Sequence, residues 1–131
     1  MSSPQIGSIG WIDLTVSNAS AVRDFYAQVA NWDYSEIEMG DYSDYCMLPT
    51  GTAEPVAGIC HARGENVGLP PQWLMYITVA NVAESLTQCT QHGGEIIRPI
   101  REMGDAKMAV IRDPAGAVCA LFQPGLEPTE A

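Results

Sequence analysis

Positive charge is what this chain has least of: 6 Lys and Arg stand against 16 Asp and Glu in 131 residues, a formal net charge of −10. A surface of that sign repels phosphate backbones and anionic lipid, so nucleic acid and membrane surfaces are not expected as partners. Long apolar runs are missing too, with none of the roughly 18 residues that a membrane span needs. The opening MSSPQIGSIG lacks a basic segment followed by an apolar one, so no secretory signal is read there. Cysteine is present but scattered: Cys46, Cys60, Cys89 and Cys119 form no CxxC pair, and each lies in an apolar run. They read as reduced, buried thiols of a cytoplasmic protein rather than as a disulfide framework or a thiolate zinc site. GxGxxG, GxxxxGK[ST], HExxH and GxSxG are absent as well, which leaves nucleotide binding and serine hydrolase chemistry without support.

What is present is globular composition, 47% hydrophobic and 17% charged. Asp13-Leu14-Thr15-Val16-Ser17-Asn18 lies over Tyr76-Ile77-Thr78-Val79-Ala80-Asn81, at an offset close to half the chain and with a Trp just upstream of each (Trp11, Trp73). Such spacing points to two copies of one unit. Each copy, about 60 residues, is too small to be comfortable alone, so a single domain is expected: module one at about 8–62, a linker at 63–71, module two at about 72–124, and a frayed tail at 125–131.

In chain order, Ile9–Val16 alternates as a strand. A helix follows, capped by Asn18 or Ser20 and closed by Asn31, with Val22, Phe25, Tyr26 and Val29 on its apolar side. Strands near Tyr34–Met39, Ser43–Leu48 and Pro55–Ala62 complete a βαβββ order. Asp33, Glu36, Glu38, Asp41 and Asp44 read as solvated faces and loop. The second copy repeats the order with a strand at Gln72–Val79, a helix at Val82–His92 capped by Gly93-Gly94, and strands at Glu95–Ile100, Lys107–Arg112 and Ala117–Gln123.

The "WIDLTV" opening, "FYAQVANW", "PVAGI", "PPQWLMYITV", "HGGEII" and "DPAGAVCALFQP" resemble the vicinal oxygen chelate superfamily, which groups glyoxalase I, extradiol dioxygenases, fosfomycin-resistance proteins and bleomycin-binding proteins. Nearest in pattern is its subgroup of predicted enzymes related to lactoylglutathione lyase. The resemblance implies an α+β fold in which two βαβββ modules form a curved mixed sheet around a cleft, and it implies a homodimer. Metal-dependent members take His, Glu or Gln ligands from the first and last strands of each module, which fall here at Asp13, near Gly58, at Tyr76 and at or near Ala120. Only Asp13 is a natural ligand, whereas a catalytic divalent ion needs three or four such side chains. No cofactor is therefore expected, although a divalent metal held by an unusual ligand set stays open.

On the first strand, Asp13 would be partly desolvated, with its pKa tending upward, and would serve as a general base or as an anchor for a ligand's donor group. The alternative is a structural Asp bonded to a nearby Tyr or Trp N–H. Tyr76 would share its cleft as a hydroxyl donor. Trp11, Thr15, Leu74, Thr78, Val118 and Phe122 complete the expected lining, with Trp11 stacking on a flat ligand or packing in the core. His61 and Cys119 should point away from the cleft, and Cys60 toward it. The expected function is binding of a small organic molecule in an apolar cleft without a metal. Two alternatives stay open: a metal-independent enzyme using Asp13 as acid or base, and a divalent-metal-dependent lyase or dioxygenase.

Overall fold

The computed structural model describes residues 5–125. Eight strands and two helices follow one another as β1 (Ile9–Val16), α1 (Ala19–Val29), β2 (Asp33–Glu38), β3 (Ser43–Leu48), β4 (Ala57–His61), β5 (Trp73–Thr78), α2 (Val82–Gln91), β6 (Glu95–Met103), β7 (Ala106–Arg112) and β8 (Val118–Gln123). This is the α+β order that the repeat implies. The chain divides into two compact units, one running from Trp11 to Trp73 and the other combining the chain up to Gly10 with the chain from Leu74 onward. The tail expected to fray falls almost wholly at 126–131, outside the described residues.

In the first unit the strand order is β2-β3-β4-β1, with β1 parallel to β4 and the other neighbours antiparallel. Ala19 of α1 packs on Tyr45, Met47, Ala57 and Ile59, with Ile12, Val16, Val22, Tyr26, Trp32 and Trp73 around them. The rings of Tyr26, Trp32 and Trp73 meet one another at centroid distances of 5.4–6.0 Å. Trp73 Nε1 donates to the Tyr26 hydroxyl at 3.2 Å, giving the half-buried indole its partner. Asn18 occupies the α1 N-cap, yet its side chain makes no capping bond. Asn31 follows the helix at φ 57, a left-handed conformation that Asn tolerates better than most residues.

Two expectations for this unit fail. Phe25 and Val29 are not inward: they are 55% and 65% exposed. The buried stripe runs through Ala19, Val22 and Tyr26, which leaves Phe25 about 100° round the helix and Val29 at its last turn. Asp44 is not solvated either; it is buried, because its carboxylate accepts the His61 backbone N–H at 2.8 Å and so gains a partner in place of water.

In the second unit the order is β5-β8-β7-β6, again with a parallel pair (β5 and β8) and antiparallel neighbours. Gly7 N–H and Ser8 C=O bond Thr78 at 2.8 and 2.9 Å, so the start of the chain runs along β5. Asn81 caps α2 by accepting the Glu84 N–H at 3.0 Å. Gly93, at φ 92, turns the chain so that Gly94 N–H reaches Cys89 C=O at 2.8 Å, the expected glycine stop. Val82 and Leu86 pack on Ala109 and Leu121, with Ile77, Val79 and Ile111 beside them. β6 extends to Met103 rather than ending at Ile100, and its pairing with β7 slips twice, between Ile96 and Arg98 and between Arg98 and Arg101.

Candidate functional site

Each unit buries one sheet face under its helix and leaves the other face helix-free. In the first unit the helix side takes Ile12, Val16, Tyr45, Met47, Ala57 and Ile59. Alternation therefore places Trp11, Asp13 and Thr15 on the helix-free face. The register lines up Asp13, Gly58 and Cys46 across β1, β4 and β3, and pairs Thr15 with Cys60. Trp11 Nε1 donates to Asp13 Oδ1 at 2.5 Å, a charge-assisted bond that holds the carboxylate over the sheet. The space above Gly58 is filled by that carboxylate: a Cβ built at 58 would overlap Asp13 Oδ1 and sit 3.3 Å from its Cγ and 3.5 Å from Trp11 Nε1.

Behind this row, Cys60 has its thiol pKa pushed well up, first by burial and then by the negative charges of Asp13 and Asp44. Cys46 moves the same way, by burial and by Asp13. At neutral pH both stay thiols, which suits lining and not nucleophilic attack. All four cysteines are free. Cys119 is raised too, by burial, by Asp113 and by Cys89 of α2, in keeping with its place on the helix side.

His61 also points away from Gly58, as alternation requires. It lies between the Tyr42 and Tyr45 rings at 5.5 and 5.9 Å. Its Nδ1 is 3.4 Å from Asp44 Oδ1, close enough for charge attraction on protonation, but it makes no hydrogen bond and is a buried polar atom left without one.

A cavity of about 290 Å³ opens where β1 hands over to α1, lined by Thr15, Val16, Ser17, Asn18, Ala62, Leu69 and Pro71. Thr15 is the one expected site residue in its wall.

In the second unit, Ile77, Val79, Ala109, Ile111 and Leu121 serve the helix side. Leu74, Tyr76, Thr78, Val118 and Phe122 all fall on the helix-free face, where Tyr76 pairs with Ala120 and Thr78 with Phe122. Leu74, Thr78 and Val118 are buried, while Tyr76 and Phe122 are partly exposed. The repeat is thus visible in the register: Asp13 with Gly58 and Tyr76 with Ala120 are the same parallel pair in the two units.

Those positions, two in each unit, are the ones from which the resemblance draws metal ligands, and their side chains do not suit a metal. Gly58 and Ala120 offer no donor, and the one carboxylate is bonded to an indole and occupies the space beside Gly58. Among the described residues no group of three or more His, Cys, Asp or Glu side chains is placed to hold a metal ion.

Sequence reasoning missed three charged residues. Asp44 lies in an acidic stretch that reads as surface. Arg98 and Arg101 lie in a strand whose alternation is broken by pairing slips, and Pro99 between them was the available signal of irregularity.

Among the described residues no helix is long and apolar enough to cross a membrane. The family model for the Glyoxalase/Bleomycin resistance protein/Dioxygenase superfamily matches residues 8–121. A Mycobacterium tuberculosis protein that carries the name "Putative glyoxylase CFP32" is 32% identical over 119 residues, covering 89% of this chain and 46% of its own. The anthracycline biosynthesis protein DnrV of Streptomyces peucetius is 28% identical over 133 residues, covering 92% and 48%. The chain spans about half the length of these curated relatives. In shape it is similar to a superfamily member from Vibrio splendidus (TM-score 0.60, 10% identity, 89% of this chain and 100% of that one) and to methylmalonyl-CoA epimerase of Mycobacterium tuberculosis (TM-score 0.58, 13% identity, 100% and 97%). At those identities the likeness is one of fold alone. Two βαβββ units, their matching parallel pairs and the family match over residues 8–121 together establish that the chain belongs to the glyoxalase/bleomycin resistance protein/dioxygenase superfamily.

Proposed function

We propose that the chain binds a small organic molecule on its helix-free sheet faces and that it does so without a metal. The observation that carries this reading is the Asp13 carboxylate standing over Gly58, tied to Trp11 Nε1, where metal-dependent relatives would place a second ligand. Apolar side chains with a few fixed polar groups are the usual make-up of a ligand site. In the first unit Trp11 supplies flat apolar surface, Thr15 a hydroxyl and Asp13 an acceptor for a ligand's O–H or N–H; in the second, taken by itself, Phe122 supplies flat surface and Tyr76 and Thr78 supply hydroxyls.

A second reading is favoured by the half-buried position of Asp13: a carboxylate there is placed to accept a proton from a bound carbon or oxygen acid. In that case the protein is a metal-independent enzyme with Asp13 as its acid or base.

A thermal-shift screen of aromatic metabolites and antibiotics, run with and without EDTA, tests the first reading. Ligand at about 100 times its Kd should add about 2.7 kcal/mol to stability, and EDTA should not diminish the shift. A shift that appears only with a divalent ion, or no shift from any compound, counts against it. The Asp13→Asn variant then separates the two readings: weakened binding marks Asp13 as an anchor, while intact binding with lost turnover marks it as a base.

A further inference from the structure

The cavity where β1 hands over to α1 lies wholly inside the unit from Trp11 to Trp73, and the sheet-face reading gives none of its walls but Thr15 a role. One side is the end of β1 and the start of α1; the other is the connection from β4 to β5. Ala62 N–H donates to Val16 C=O at 2.9 Å, which ties that connection to the last residue of β1. Asn66 N–H then donates to Arg63 C=O at 3.0 Å and Leu69 N–H to Asn66 C=O at 3.4 Å, so the connection turns back and Leu69 and Pro71 bound the space. Its 290 Å³ is the volume of about ten water molecules, near the lower limit for small-molecule sites.

The two sides differ in chemistry. Val16, Ala62, Leu69 and Pro71 are aliphatic, and none of the described residues that line the cavity is charged. Opposite them is the N-terminus of α1, where the first intrahelical bond runs from Val22 N–H to Asn18 C=O. The N–H groups of Ala19, Ser20 and Ala21 therefore have no acceptor within the helix. The Asn18 side chain caps none of them, and no acidic residue stands in the first turn. α2 differs on both counts, with Asn81 as its cap and Glu84 in its first turn. Thr15 points to a ligand independently of the helix. It is 4% exposed, it lines the cavity, and among the described residues its hydroxyl has no hydrogen-bond partner. A polar group buried that deeply normally has one.

We propose that this cavity binds a small aliphatic carboxylate. Its oxygens are taken by the Thr15 hydroxyl and the free N–H groups that open α1, and its hydrocarbon part lies against Val16, Ala62, Leu69 and Pro71. Free donors and the dipole at a helix N-terminus favour a negative oxygen. With no lysine or arginine among the lining residues, the site suits one negative charge rather than the two of a phosphate. The volume admits a body of about ten heavy atoms, the size of octanoate. The inference goes beyond the sheet-face reading and does not depend on it.

Octanoate, neutral octanamide and octyl phosphate, titrated calorimetrically into the full chain, test it. Octanoate should bind at one site and about fivefold or more tighter than octanamide, the gain that a helix terminus gives a negative charge. Octyl phosphate should bind more weakly than octanoate. Thr15→Val removes the hydroxyl and should weaken octanoate about tenfold or more. Without ligand, that variant should melt no lower than the native chain, because the hydroxyl it loses has no partner to leave behind. Leu69→Trp, which fills the space from the opposite side, should abolish octanoate binding. Undetectable binding of octanoate, or octanamide or octyl phosphate binding as tightly, overturns the inference. Full octanoate affinity in either variant also overturns it, as does a Thr15→Val protein that melts several degrees lower, since that hydroxyl would then be a structural one. None of these results touches the bond between Asp13 and Trp11 on which the sheet-face reading stands.

Discussion

Gly58→Ala is expected to destabilise the chain by about 3 kcal/mol, near the upper end for overpacking a tight site. The new Cβ would overlap Asp13 Oδ1, and the carboxylate has little room to yield because Trp11 Nε1 holds it. Gly58 is itself buried between β1 and β3, so backbone movement would disturb pairing on both sides. The cost is one of space and not of backbone freedom. It should vanish when the obstruction does: in an Asp13→Ala background the same Gly58→Ala change should cost under about 1 kcal/mol, leaving a coupling of about 2 kcal/mol between the two sites. Urea unfolding of the four proteins in the cycle measures it. Additive effects would mean that Asp13 does not fill the space above Gly58.

Met47→Ala is expected to cost about 3 kcal/mol, the range for emptying a fully buried position. Met47 is 0% exposed, in the cluster that α1 covers. Phe25→Ala, on the same helix, removes more atoms but should change stability by less than about 1 kcal/mol, because Phe25 is 55% exposed and its ring meets Tyr26 edge-on at 5.1 Å. Thermal or denaturant unfolding of the two variants checks the contrast. A Phe25→Ala cost equal to that of Met47→Ala would put Phe25 in a core, as its helical spacing alone suggests.

That contrast shows where sequence reasoning holds and where it stops. β1 and β3 end where period-two alternation places them, at Ile9–Val16 and Ser43–Leu48, since each has one face to bury. The glycine pair after α2 and the repeat offset are legible for similarly local reasons. Phe25 is misread because a helix on a sheet buries a stripe narrower than its apolar side. Asp44 is misread because only the fold brings the His61 amide to it. The arginines are hidden for a sharper reason: alternation assigns Arg98 and Arg101 to opposite faces, and only pairing with β7 reveals the slip that puts them together. The sheet faces of Asp13, Leu74, Tyr76 and Phe122 are legible because these residues lie on regular strands, where a residue's number already states its face.

Metal stoichiometry addresses the central claim most directly. The chain is purified without chelator, its Zn, Ni, Mn and Fe content is measured, and the same ions are titrated into it and into its Asp13→Ala variant. With Asp13 bonded to Trp11 and no donor at Gly58 or Ala120, the account predicts well under one ion per chain and no ion-induced heat that depends on Asp13. One tightly held ion per chain, lost in Asp13→Ala, would contradict it.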